Sequence, residues 1–189
     1  MMAAHYHGQT WNSSAIAKSL DISHTTARSY LDILTDSYVM RQLPPYFSNL
    51  KKRIVKAPKV YLRDSGLLHS LLQIETMADL ESNPRYGASW EGFALEQLIS
   101  VLGLGPDETY FWGTHGGAEI DLVVERGGKR HGFEFKVTEK TRITHSMTIA
   151  QADLKLERVF LVYPGAISFP LRDGMEALGY SQIPEFKLP

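Results

Sequence analysis

The sequence contains no cysteine in 189 residues, so it can form neither disulfides nor thiolate metal sites. A reducing compartment is compatible with that, and a cytoplasmic location is expected. No apolar run approaches the roughly 18 residues of a membrane helix, and no basic segment leads into an apolar one at the N-terminus, so no membrane partner is expected. An excess of charge is also missing. Twenty Lys and Arg meet 21 Asp and Glu, and the net charge of −1 argues against a generic polyanion binder. The phosphate-cradling pattern G-x-x-x-x-G-K-[ST] does not occur, because Gly127-Gly128-Lys129 is followed by Arg130 and Val123 stands where the first Gly is needed. The chain by itself is therefore not expected to hydrolyse nucleotides. Internal repeats and low-complexity tracts are absent. Hydrophobic content of 43% is enough to bury a core, in one domain or two small ones.

The charge is unevenly spread. Residues 1–64 hold nine Lys or Arg against four Asp or Glu, whereas residues 65–189 hold eleven against seventeen. The N-terminal third is thus the better candidate for touching phosphate. There, after a short helical tail and a turn at Gly8, Asn12 or Ser13 can cap a helix through Leu20. Asp21-Ile22 makes a turn, and Ser23 caps a second helix with Ala27, Tyr30, Leu31 and Leu34 inward. This is the helix-turn-helix plan, with His24, Thr25, Arg28 and Ser29 outward and able to reach bases or phosphates. The same hairpin can equally serve as a packing or protein-contact element, and Asp32 on the exposed side counts against DNA. His5 and His7 receive no role, since two His at i and i+2 without a further ligand nearby are usually incidental.

A β-prone segment from Tyr38 to Leu43 then runs into Pro44-Pro45, and a strand resumes toward Arg63. Between them, Lys51, Lys52, Arg53, Lys56, Lys59 and Arg63 give six positive charges in thirteen residues. Two strands separated by a long basic loop make a wing, and this loop suits a phosphate backbone. Asp64 or Ser65 caps a Leu-rich helix through Leu72, and Glu75 to Tyr86 reads as a connecting helix and loop. The domain boundary is placed at residue 75.

The most specific chemistry lies between Gly116 and Val137. Glu119, Asp121, Val123 and Glu125 alternate with Ala118, Ile120, Leu122 and Val124, the pattern of a strand with one buried face. A second strand places Glu134 and Lys136 opposite in direction to Phe133, Phe135 and Val137. Gly127-Gly128 between them signals a two-residue hairpin. Counting outward, Arg126 pairs with Lys129, Asp121 with Glu134, and Glu119 with Lys136. Directly opposed residues share a face with Cβ atoms about 4.5 to 5.5 Å apart. Two carboxylates so close call for a cation, and a divalent metal is the natural one. Carboxylates that hold Mg²⁺ and a Lys that steadies charge on phosphate are what phosphodiester hydrolysis requires. The alternative is a solvated hairpin face of mixed charge.

Glu119-Ile120-Asp121, the hairpin and Glu134-Phe135-Lys136 resemble the PD-(D/E)XK nuclease superfamily, although Ile120 stands where that pattern carries Pro. The chain as a whole is similar to the uncharacterised C-terminal region of a group of prokaryotic AAA-type ATPases. That likeness runs through Lys59-Val60-Tyr61-Leu62-Arg63-Asp64-Ser65-Gly66-Leu67-Leu68, then Gly87-Ala88-Ser89-Trp90-Glu91-Gly92-Phe93, then the hairpin. The resemblance implies a winged helix followed by a nuclease-like part, an ATPase domain or subunit as partner, and Glu91 as a further ligand on the helix before the hairpin. The residues alone leave Glu91 equally a first-turn acid favoured by the helix dipole.

In the remainder, Ser89 is expected to cap a helix from Trp90 to Leu102 and Glu108–Trp112 to form a strand. A helix is expected over Ile143–Glu157, an apolar central strand over Arg158–Tyr163, and a short helix over Leu171–Leu178. The expected fold is α/β (α+β), with a winged helix-turn-helix domain over residues 1–75 and a restriction-endonuclease-like mixed sheet flanked by helices over 76–189. The leading functional expectation is a DNA-binding protein with a Mg²⁺ (or Mn²⁺) phosphodiesterase site. Asp121 and Glu134 would hold the metal with Glu91 as an extra ligand, and Lys136 would polarise water or phosphate. The alternatives are a non-catalytic DNA- or partner-binding module of an AAA-type ATPase, and a transcription regulator reading DNA through residues 23–35.

Overall fold

The computed structural model describes residues 2–47 and 55–189. The chain divides into two compact units, Met1–Gln42 with Ala57–Phe93, and Leu43–Lys56 with Ala94–Pro189. The boundary expected at residue 75 falls inside the first.

The first unit opens with α1 (Met2–His5), β1 (Gln9–Thr10), α2 (Ser13–Leu20) and α3 (His24–Asp36). Asn12 and Ser23 are the two caps, their side chains accepting the Ala15 and Thr26 amides at 3.0 Å each. Asp21 ends α2 in the left-handed conformation at φ 52°, a conformation that Asp tolerates better than most residues. β2 (Met40–Leu43) and β3 (Lys59–Leu62) follow, and the three strands form a sheet in the order β1-β3-β2. Trp11, Ile16, Ala27, Leu31, Met40, Val60, Leu62 and Leu68 make one buried cluster between this sheet and the helices. Tyr30, expected inward, is instead 51% exposed, because Ala27 and Leu31 occupy the buried stripe of α3 and Tyr30 lies about 100° away from Leu31.

α4 (Ser65–Leu71) is capped by Asp64, which accepts the Leu67 amide at 2.6 Å, and α5 (Met77–Ser82) starts in a Thr76–Asp79 capping box. The long helix α6 (Tyr86–Leu102) begins three residues before Ser89. Ser89 is therefore not a cap. It lies inside the helix, buried, 2.7 Å from His69 Nε2.

The second unit is a six-stranded sheet in the order β4-β5-β6-β7-β9-β8. β4 (Thr109–Gly113), β5 (Glu119–Arg126) and β6 (Lys129–Phe135) are antiparallel neighbours. α7 (His145–Leu154), capped by Thr144, then carries the chain over one face to β7 (Arg158–Tyr163), which pairs parallel to β6. The helix expected over 171–178 is a hairpin, β8 (Phe169–Arg172) and β9 (Met175–Gly179), with β9 parallel to β7. Asp173-Gly174 makes its turn with Gly174 at φ 71°, and Met175 and Ala177 are drawn into the sheet core. On the α7 face, Trp112, Ile120, Val123, Met147, Ala150, Leu154, Val159, Leu161 and Met175 pack together. On the other, Phe133 stacks on Phe160 at 5.0 Å and Phe186 closes over Phe160 at 5.1 Å.

Residues 43–56, expected as part of a wing, count with the second unit. Tyr46 N donates to Phe111 O at 2.7 Å, Phe111 N donates to Pro44 O at 3.0 Å, and Val55 N donates to Gly113 O at 3.0 Å. These bonds satisfy the outer edge of β4, which an open sheet would leave unpaired. Burial raises the pKa of Tyr46, and the Glu125 carboxylate beside its hydroxyl adds to the rise.

Candidate functional site

The hairpin register agrees with the count made from Gly127-Gly128. Arg126 faces Lys129 and the ladder runs inward to Leu122 opposite Phe133, with both glycines at positive φ, 61° and 76°. Two positive φ values are what the tight turn of a twisted hairpin requires. The paired ladder stops at Leu122 and Phe133. One step further, Asp121 Oδ2 accepts the Phe135 amide at 3.0 Å, so a side chain takes a donor that a strand carbonyl would otherwise bind.

A bulge explains the departure. Tyr110 faces Val123 and Trp112 faces Ile120, which leaves Asp121 and Leu122 opposite the single residue Phe111. Strict alternation would send Ile120 and Val123 to opposite faces, yet both belong to the cluster under α7. The expectation of one buried face on β5 is corrected accordingly. Ile120 through Val124 are all buried, because the sheet is covered on both sides and the bulge shifts the phase of the pattern midway.

Asp121 is 5% exposed and Glu134 6% exposed. Ionised carboxylates this deep are stable only when paired or hydrogen-bonded. Glu134 Oε1 lies 2.7 Å from Lys136 Nζ, whose side chain is 44% exposed. Lys136 is fixed in turn by its amide, which donates to Val162 O at 3.0 Å and continues the pairing of β6 with β7. Glu119 begins β5, half-buried, paired with Gly113. Among the described residues no three His, Cys, Asp or Glu side chains gather as a metal-binding group. Asp121, Glu134 and Lys136 are the part of the predicted site that the second unit brings together.

Glu91 lies in the first unit. It is the sixth residue of α6 and so not a first-turn acid. Lys59 Nζ sits 2.9 Å from Glu91 Oε1, and the Tyr61 hydroxyl donates to the same oxygen. Lys59, expected as part of the basic surface, is buried against this carboxylate and lies 5.8 Å from the Tyr61 ring centroid.

His7 was given no role from the sequence and proves to be an interior tie. Its Nδ1 accepts the Leu62 amide at 3.0 Å, so Nε2 carries the proton and donates to Ala88 O at 3.0 Å. Burial is the main reason its pKa falls from 6.5 to about 4, helped by nearby Arg85, His69 and Lys59 charges and opposed by the Ala88 hydrogen bond. Gly92 leaves room for the ring, since a Cβ there would collide with His7 Nε2. No local sequence signal marks these partners, which lie 55 and 81 residues away.

His24, Thr25 and Arg28 are exposed on α3, and Arg28 Nε faces Asp32 Oδ1 at 3.5 Å. Ile33, one turn past Tyr30, is 58% exposed. Lys56 is exposed, next to Val55, whose amide bonds to β4. Lys51, Lys52 and Arg53 lie outside the described residues. Among the described residues no helix is long and apolar enough to cross a membrane.

Comparison with known proteins finds relatives over most of the chain and two family models within it. An uncharacterized protein of Mycobacterium bovis and one of Mycobacterium tuberculosis are each 51% identical to it over 182 residues, covering 96% of this chain and 41% of theirs. The chain thus spans about two fifths of the length of these curated relatives. No solved structure matches it. Residues 1–78 match a domain of unknown function (DUF8612). The stretch from α6 to the end of the sheet, residues 86–183, matches another domain of unknown function, and over more than half its length the chain therefore belongs to the DUF4143 family.

Proposed function

We propose that the chain is a DNA-binding protein with a Mg²⁺-dependent (or Mn²⁺-dependent) phosphodiesterase site of the PD-(D/E)XK kind, and that it works as the C-terminal part of an ATPase-linked system. The observation that carries this reading is two deeply buried carboxylates on neighbouring strands, Asp121 bound to the Phe135 amide and Glu134 next to Phe135 in sequence, with Lys136 held against Glu134 at 2.7 Å. Three ionisable side chains at the ends of two adjacent strands do nothing for a hydrophobic core and cost desolvation.

The donor set suits the metal. Mg²⁺ is commonly bound through one or two carboxylates, with waters and substrate phosphate oxygens completing its shell. Asp121 and Glu134 would hold it, and bound there it would supply positive charge to the phosphoryl oxygens and lower the pKa of a water. Lys136, on a half-exposed side chain, would donate to a non-bridging phosphate oxygen or to the attacking water. Hydrolysis then forms a P–O bond to water and breaks the ester P–O bond, with the leaving alkoxide taking a proton. Asp121 is held in place by the Phe135 amide, so its carboxylate is oriented before substrate arrives.

The first unit supports a winged-helix reading, with α3 as recognition helix and the three-stranded sheet behind it. Its outward face also favours a second reading. Tyr30 and Ile33 are exposed on α3 about 140 to 160° around the helix from Arg28, which already has a carboxylate neighbour, and an apolar surface of this kind suits contact with a partner ATPase domain better than contact with phosphate.

The deciding experiment incubates plasmid, single-stranded and branched DNA with Mg²⁺ or Mn²⁺ and compares wild type with Asp121→Asn and Lys136→Ala. Asp121→Asn keeps an oxygen for the Phe135 amide, so the fold is expected to be retained, which circular dichroism checks. Cleavage by the wild type lost in both variants is expected. No cleavage on any substrate, with no metal binding by calorimetry, would sink the phosphodiesterase in favour of a non-catalytic module.

A further inference from the structure

We propose that Lys56 is a substrate-positioning residue of the carboxylate site, holding a DNA phosphate on the β4 side of Asp121 and Glu134. The inference rests on the phosphodiesterase reading and assigns it a binding residue that does not belong to the recognition helix.

The argument begins with which unit owns the segment. Residues 43–56 count with the sheet that bears Asp121 and Glu134. Their two described ends are tied to consecutive stretches of β4, Pro44 and Tyr46 to Phe111, and Val55 to Gly113. Gly113 faces Glu119 across the next ladder, two residues before Asp121. A Cβ at Gly113 would lie 3.8 Å from both Val55 Cγ2 and Glu119 Oε2, so these two side chains flank the glycine directly. With strands about 4.8 Å apart, the Val55 backbone is roughly 10 Å from β5 in the hydrogen-bonding direction. Lys56 is the next residue, exposed, on a long flexible stem ending in a compact point charge.

Charge balance supplies the reason such a residue is needed. The start of β5 and the end of β6 gather the carboxylates of Glu119, Asp121 and Glu134, whose negative charge disfavours an approaching polyanion. Lys136 is already engaged by Glu134 at 2.7 Å. A cation carried on the β4 edge can hold a phosphate flanking the scissile bond, while Lys136 serves the bond itself. Because the amide of Val55 is bonded to Gly113 of β4, the backbone next to Lys56 is held by the same sheet that fixes the carboxylates.

The test uses the full chain and a short fluorescein-labelled DNA duplex, with RNA of the same sequence in parallel. Binding is followed by anisotropy in EDTA over a salt series, and cleavage with Mg²⁺ gives KM and kcat separately. Lys56→Glu is expected to weaken DNA binding about tenfold or more and to raise KM with little change in kcat. Lys56→Ala is expected to reduce the salt slope by about one, and Lys56→Arg to restore binding. Unaltered DNA binding and KM in Lys56→Glu would overturn the inference even if the wild type cleaves. If Lys56→Glu weakens DNA binding but no protein cleaves, the phosphodiesterase reading fails and Lys56 stands as a phosphate contact. Binding to RNA that is tighter than to DNA and equally sensitive to Lys56 would overturn DNA as the substrate.

Discussion

Acidification is expected to destabilise the protein through His7. The ring is buried and neutral, and both nitrogens are committed, one accepting from Leu62 and one donating to Ala88. A proton added to Nδ1 would remove the acceptor for the Leu62 amide and place a charge near Arg85 and Lys59. The folded-state pKa is depressed, from 6.5 to about 4, so the unfolded chain binds the proton more readily. The cost is therefore absent above the unfolded value, grows as pH falls below about 6.5, and levels off below about 4. At about 1.4 kcal/mol per pH unit, the linkage amounts to roughly 2 kcal/mol at pH 5 and about 3 kcal/mol at its limit. Urea unfolding between neutrality and about pH 4 measures it, compared with His7→Gln, whose side chain does not titrate. The variant is expected to be less stable at neutral pH but to lose correspondingly less on acidification, so the two curves converge. Parallel curves would refute the argument, because they would mean that His7 binds its proton alike in the folded and unfolded states.

Two further changes probe the cores of the two units. At Gly132, opposite Val123 in the hairpin, a Cβ would meet Leu156 Cδ1 at 2.7 Å, so Gly132→Ala is expected to cost about 1 to 3 kcal/mol of stability by overpacking, read as a fall in Tm; an unchanged Tm would show that Leu156 moves aside freely. In the first unit, Lys59→Met leaves the Glu91 carboxylate without its nearest cation and is expected to cost about 3 kcal/mol in urea unfolding, much of it recovered in Lys59→Met/Glu91→Leu. Equal losses in the single and double variants would show that the pair is not coupled.

The sequence by itself determined what depends on near neighbours. Asn12, Ser23 and Asp64 cap their helices because a short polar side chain reaches an amide three residues on. Gly127-Gly128 sets the hairpin register because only glycines take two positive φ values without strain, and that register brings Asp121 and Glu134 to adjacent strands. The apolar run Arg158–Tyr163 reads as a covered central strand, and it is one. Asp173-Gly174 is a turn signal of the same kind inside the stretch expected as a helix, and it makes the β8-β9 turn.

Tertiary structure decided the rest, because the deciding partners lie far apart in sequence. The bulge at Asp121-Leu122 arises from pairing with β4, and it places Ile120 and Val123 on one face against their spacing. The basic segment before Lys59 reads as a wing from composition, but the edge of β4 draws residues 43–56 to the second unit, since its open amides and carbonyls needed partners. Lys59 looks like surface charge and is buried, because Glu91 and Tyr61, some thirty residues on or two along, compensate it. His7 is a tie only once Leu62 and Ala88 converge on it. Local patterns fix caps, turns and register, whereas the burial of a charge or a phase shift in a strand is set by groups that only folding brings into contact.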